Sequence, residues 1–256
     1  MQGRGPDFIG LGVQKGGTTT LHTLLAAHPQ VMLPATKELH FFTLHHGKGE
    51  AWYRQHFAAA AANQRCGEIT PYYIFHPLVP ERIQSCCPEA RLLVLLRDPV
   101  ERSLSQVFHS QRLGLEPLGP EEALEAETSR LEGAEAVLRA GGLHRSHQEH
   151  SYLARSRYGE QLLRYEALFG RERLWIQRSE DLFEQPQRLW SSLQAFLGLE
   201  AAPLPPLPRA NAGRGELSAL PLAQRQRLRA WLQDRLAPTY ALMAERYGLQ
   251  WERQDG

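Results

Sequence analysis

The amino-acid sequence predicts an α/β protein, a three-layer α/β/α fold around a central parallel sheet with a P-loop-like turn. Three features lead there. Apolar runs alternate with helical patterns along the chain, the order that lays helices on both faces of a parallel sheet. The runs are short and continuous, as strands buried on both faces require. The first run leads through the glycine-rich "QKGGTTT" (14–20) into a helical pattern, an order that suits a bound phosphate.

From the amino terminus onward, "FIGLGV" (8–13) is the first strand. Leu21, Leu24 and Leu25 then fall at helical spacing, and Pro29 ends the helix. "VMLP" (31–34) and the weaker "RCGEIT" (65–70) are the second and third strands, and "PLVPERIQSCC" (77–87) reads as a helix with Pro77 near its start. "RLLVLLR" (91–97) is the strongest strand, followed by the helix "PVERSLSQVFHSQRL", which Pro99 opens at a favoured first-turn position. "RLWIQR" (173–178) is the fifth strand, and the helix "QPQRLWSSLQAFLGL" follows it. Two regions leave the alternation. Residues 114–169 are long, helical and polar, and residues 201–216 form a Pro/Gly loop before a helical stretch expected to break near Pro238. Residues 1–256 are read as one domain carrying these two elaborations.

Composition bounds the function. With 29 Lys+Arg against 28 Asp+Glu and a net charge of +1, the chain does not read as a coat for nucleic acid or membrane, so any basic site is local. Cys66, Cys86 and Cys87 imply no disulfide framework and point to reduced thiols in a cytoplasmic protein. The amino terminus carries no signal-peptide pattern, and no segment approaches the ~20 apolar residues of a membrane span.

The turn after the first strand raises the chemical question. Lys15 precedes Gly16 and Gly17, whereas a nucleotide triphosphatase places its lysine after the last glycine. Backbone N–H groups there, with the hydroxyls of Thr18, Thr19 and Thr20, make an anion cradle; the plainer reading is a turn whose glycines serve packing. Asp98 superficially offers the acidic strand end of a triphosphatase, but the adjacent Arg97 would repel a metal and suits a second anion.

These segments resemble the sulfotransferases that use 3′-phosphoadenosine 5′-phosphosulfate (PAPS), most closely the bacterial and glycosaminoglycan types. "IGLGVQKGGTTTL" is similar to the family's 5′-phosphosulfate loop and "LLVLLRDPVERSLSQVFH" to its 3′-phosphate segment, with "KELHFF" (37–42) and "GEITPYYIFHPLVPERI" (67–83) matching further segments in order. The resemblance is dense over 8–110 and looser over 158–200. It implies that Lys15 steadies the bridging oxygen, with Gly16, Gly17, Thr18, Thr19 and Thr20 around the 5′ side and Arg97 and Ser105 on the 3′-phosphate. In "RANAGRGEL" (209–217) it implies a loop closing over the nucleotide, with Arg214 the foremost phosphate contact among Arg209, Asn211, Gly213 and Arg214. No metal is required.

By the same resemblance Glu38 matches a catalytic glutamate, and His40 a nearby histidine able to orient the acceptor or take its proton. The competing reading pairs Glu38 with Lys37. Ile69 stands where several relatives carry a lysine, and Thr43 where some carry an aspartate. Glu68 either contacts the acceptor or braces the loop, the brace being the plainer reading, and Phe41 and Phe42 are read as core. His144, His147 and His150 form no persuasive metal set.

The implied activity is transfer of a sulfuryl group from PAPS to a hydroxyl, less readily an amine. The implied acceptor is a glycan, lipid, small metabolite or carrier-bound β-hydroxyacyl chain, bound between the 43–64 and 114–157 regions. The alternatives are an atypical P-loop kinase or triphosphatase, disfavoured by the lysine position and the missing acidic strand end, and a noncatalytic nucleotide-binding module.

Overall fold

The computed structural model describes residues 4–207 and 216–251. Among them run five parallel strands, β1 (Phe8–Gly12), β2 (Val31–Met32), β3 (Arg65–Ile69), β4 (Arg91–Leu96) and β5 (Leu174–Arg178), in the order β2-β3-β1-β4-β5. The helices are α1 (Thr18–Ala26), α2 (Gly49–Gln55), α3 (Val79–Cys86), α4 (Pro99–Arg112), α5 (Pro120–Arg130) and α6 (Ala134–Arg139). They continue with α7 (Arg145–Glu149), α8 (Tyr158–Phe169), α9 (Asp181–Glu184), α10 (Pro186–Leu197), α11 (Glu216–Ala219) and α12 (Leu222–Tyr247). The fold is α/β with a central parallel sheet. Its chain divides into two compact units, Met1–Leu96 with Leu162–Ala210, and Arg97–Gln161 with Asn211–Gly256.

The first unit holds the sheet. Phe8 lies opposite Gly67 on one side and Arg91 on the other, and Leu93 lies opposite Trp175. Side chains alternate between faces. Leu93, Leu95, Phe8 and Trp175 pack with Leu21, Leu24 and Leu25 of α1 and with Leu189, Trp190 and Leu193 of α10. Leu92, Val94 and Leu96 turn to the opposite face and are also wholly buried, which explains the unbroken apolar run in the sequence. α3 begins at Val79 with Pro80 in its first turn, so Pro77 precedes the helix rather than opening it. Cys66, Cys86 and Cys87 are free and buried.

Strand order also fixes where a ligand can sit. From β1 the chain goes to β2 at one edge and back to β3 beside β1, then crosses to β4 and β5 on the other side. β1 and β4 are neighbours, so the topological switch point lies between their carboxyl ends, where open α/β sheets bind ligands.

In the second unit, Asp98 caps α4 by accepting the Glu101 N–H at 2.9 Å, and Pro99 occupies the first turn. Val100, Leu104, Val107 and Phe108 of α4 pack with Leu228, Leu232 and Leu236 of α12. The wholly buried Arg102 donates to Ser156 Oγ, Gln106 Oε1 and the Tyr152 carbonyl, tying α4 to the 152–156 turn. The expected break at Pro238 does not occur: α12 runs through it. Leu228, Leu232 and Leu236 before the proline, and Thr239 and Met243 after it, are all buried, and this packing outweighs the lost backbone hydrogen bond.

Candidate active site

The β1–α1 turn carries the residues expected to receive an anion. Gly17 caps α1 with φ 81 and offers no side-chain acceptor, and the first turn of the helix has no acidic residue. The leading N–H groups of α1 therefore lack partners within the helix, at the positive end of its dipole. Gly16 is pressed onto the sheet: a Cβ there would lie 2.7 Å from the Leu95 carbonyl oxygen. Thr18 is buried, Thr20 half-buried and Thr19 exposed. Lys15 is half-buried and has φ 69.

The segment after β2 carries Glu38 and His40. Lys37 Nζ donates to Glu38 Oε1 at 2.5 Å, and His40 Nε2 lies 3.8 Å from Glu38 Oε2. His40 Nδ1 is 3.2 Å from the Thr43 hydroxyl. The pairing of Glu38 with Lys37 is thus present, and it leaves the other carboxylate oxygen toward His40. Glu38 is 37% exposed and His40 21%, open enough for each to meet a bound acceptor. Burial first, and the Lys37 charge second, push the His22 imidazole below its ordinary range, placing this α1 residue in the same electrostatic neighbourhood.

Among the described residues, the non-glycine residues with positive φ are Lys15 (69), Glu38 (59) and His40 (52). Such conformations cost about 1–3 kcal/mol each and persist where the surroundings impose them, characteristically at functional sites. The three residues named from sequence as catalytic are the three held this way.

Glu68 is 2% exposed, with donors arranged around both carboxylate oxygens. Burial pushes its carboxyl upward, while hydrogen bonds from Tyr73, Thr70 and Tyr53 oppose that shift. Phe41 and Phe42 are core, stacked on and edged against Tyr53. Ile69 is buried in β3. The tyrosines around Glu68 escaped sequence reading: Tyr73 lies five residues away, but Tyr53 comes from α2 with no local signal linking them.

In the second unit, Arg97 follows directly after β4, and the Tyr158 hydroxyl donates to its carbonyl at 2.8 Å. Beside it, Asp98 accepts from the Tyr240 hydroxyl at 2.8 Å and Glu101 from Arg229 at 2.9 Å. Ser105 is half-buried on α4. Arg214, with Arg209, Asn211 and Gly213, lies outside the described residues. His144 caps α7 through the His147 N–H, and His150 meets the Leu115 carbonyl. Among the described residues no three His, Cys, Asp or Glu side chains gather as metal ligands.

A parallel sheet with a helix amino terminus lacking a side-chain cap beside its switch point defines an open α/β protein of the kind that binds ligands beyond its strand ends. The chain belongs to the sulfotransferase family, since residues 5–209 match the sulfotransferase domain. It is 43% identical over 108 residues to the membrane-associated sulfotransferase kil1 of Dictyostelium discoideum, covering 41% of this chain and 23% of that protein. It is 38% identical over 112 residues to the human heparan sulfate glucosamine 3-O-sulfotransferase 3B1, covering 44% and 28%. The matched stretches thus span about a quarter of those relatives. A sulfotransferase from Alicyclobacillus acidocaldarius superposes with a TM-score of 0.74 at 26% identity, covering 94% of this chain and 96% of that one. Among the described residues no helix is long and apolar enough to cross a membrane.

Proposed function

We propose that this chain transfers the sulfuryl group of PAPS to an acceptor hydroxyl. The observation that carries the reading is that Lys15, Glu38 and His40 alone share the strained backbone conformation among described non-glycine residues. PAPS supplies an activated S–O bond to its 5′-phosphate. Gly16, Gly17 and the α1 amino terminus receive that phosphate, a reading supported by the α1 amino terminus, which has no side-chain cap and no acidic residue in its first turn. Lys15 places its ammonium on the bridging oxygen and stabilises the charge left there as the bond to sulfur breaks. Glu38 takes the acceptor proton as the new S–O bond forms, with His40 orienting the hydroxyl. Arg97 and Ser105 hold the 3′-phosphate. The acceptor is an alcohol of a glycan, lipid, small metabolite or carrier-bound β-hydroxyacyl chain, with an amine the lesser option.

Thermal-shift titration tests the donor assignment. 3′,5′-Bisphosphoadenosine (PAP) should raise the melting temperature without metal, ADP should do so less, and ATP with Mg²⁺ should not exceed ADP. Arg97→Ala should weaken PAP binding by about tenfold or more, the loss of a charge-assisted phosphate contact. Preferential stabilisation by ATP with Mg²⁺ would instead support a kinase or triphosphatase.

A further inference from the structure

Glu68 is buried, yet its carboxylate sits at the centre of a polar cluster beneath the Glu38–His40 segment. Tyr53 and Tyr73 donate their hydroxyls to Oε1 at 3.2 and 2.7 Å, and Thr70 donates to Oε2 at 2.7 Å. The Leu39 N–H also points to Oε2, at 3.4 Å. Two of these hydroxyls have a second partner in the same short segment. Thr70 Oγ1 accepts from the His40 N–H, and the Tyr73 hydroxyl accepts from the Phe42 N–H, each at 3.4 Å. Leu39, His40 and Phe42 thus have their amides anchored on three side chains of "GEITPYY".

The direction of these bonds matters more than their number. An ionised carboxylate only accepts, so it fixes the Thr70 and Tyr73 protons toward itself and leaves their lone pairs for the two amides. An amide or a protonated acid in its place would set a donor against donors and turn a hydroxyl around. The segment so held contains two of the three left-handed non-glycine residues among the described ones, Glu38 and His40, on either side of Leu39.

We propose that Glu68 is a positioning residue for sulfuryl transfer, acting through Thr70 and Tyr73 to hold Glu38 and His40 in their strained backbone conformation. This rests on the reading of Glu38 and His40 given above, while the anchoring itself can be tested independently of turnover.

Hydrogen exchange and turnover, measured on wild type, Glu68→Gln, Thr70→Val and Thr70→Ser, test the anchoring. Turnover is read as labelled sulfate released from PAPS with water as the acceptor. In Glu68→Gln and Thr70→Val, exchange at Leu39, His40 and Phe42 should quicken by about tenfold or more while the β4 amides keep their protection. Turnover at saturating PAPS should fall by about tenfold or more, with PAP affinity held within about twofold. Thr70→Ser, which retains the hydroxyl, should behave as wild type. Unchanged exchange in Glu68→Gln, or equal losses in Thr70→Ser and Thr70→Val, would overturn the proposal. If Glu68→Gln does not fold, the contrast between the two Thr70 variants is decisive alone. Quickened exchange with no turnover even in wild type would count against the sulfotransfer reading while upholding the anchoring.

Discussion

Lys15, Glu38 and His40 lie in two separate loops, yet each adopts a backbone conformation that side chains avoid. Relaxing any of them to ordinary φ would release about 1–3 kcal/mol, so the fold holds these residues against their local preference. The roles proposed for Lys15 and Glu38 predict different kinetic losses. Lys15→Ala removes charge stabilisation felt mainly as the donor bond breaks, and turnover should fall by about 10²–10³-fold. Glu38→Gln removes the proton acceptor and should cost about 10²–10⁴-fold, while the donor binds as before. Initial rates combined with PAP titration separate the two. Full activity in Glu38→Gln would shift the proton to His40, whose Nε2 lies 3.8 Å from the carboxylate. The sequence marked all three residues by motif, but their shared strain became visible only in the folded backbone.

Among the elements, the β1–α1 turn depends on close approach to the neighbouring strand. Val13 N–H donates to the Leu95 carbonyl at 2.9 Å, and Gly16 rests against that same oxygen. A Gly16→Ala variant must push backbone against backbone, so we expect about 1–3 kcal/mol of destabilisation in urea unfolding, accompanied by weaker PAP binding. Unaltered stability would mean the turn can shift without cost. In α12, by contrast, a local signal misleads. Pro238 marks a break by propensity, but it is exposed while Leu236 and Thr239 beside it are buried. Tertiary burial on one face carries the helix through a residue that local rules would use to end it.

For the molecule as a whole, buried ionisable groups tie stability to pH. His76 is 4% exposed, and burial first, then the charges of Arg82 and Arg164, lower its imidazole from 6.5 to about 4. The unfolded chain therefore binds the extra proton first. Stability contributed by neutral His76 is present above pH 6.5 and is lost as pH falls toward about 4, worth about 3 kcal/mol at most. Unfolding midpoints of wild type and His76→Asn across this range should diverge, with the variant less sensitive to acid; parallel curves would assign the loss to other groups. The linear chain alone was enough to specify the five strands, their parallel alternation with helices, and the glycine-rich turn between β1 and α1, because continuous apolar runs and glycine spacing are local signals that burial on two faces demands. It also marked Lys15, Glu38 and Arg97 by residue type. Folding was needed to show that Tyr53 from α2 and Tyr73 from beyond β3 converge on Glu68, and that α12 survives its proline. Such contacts join residues far apart in the chain, and a hydrogen bond between distant segments exists only once the sheet and core have brought them together.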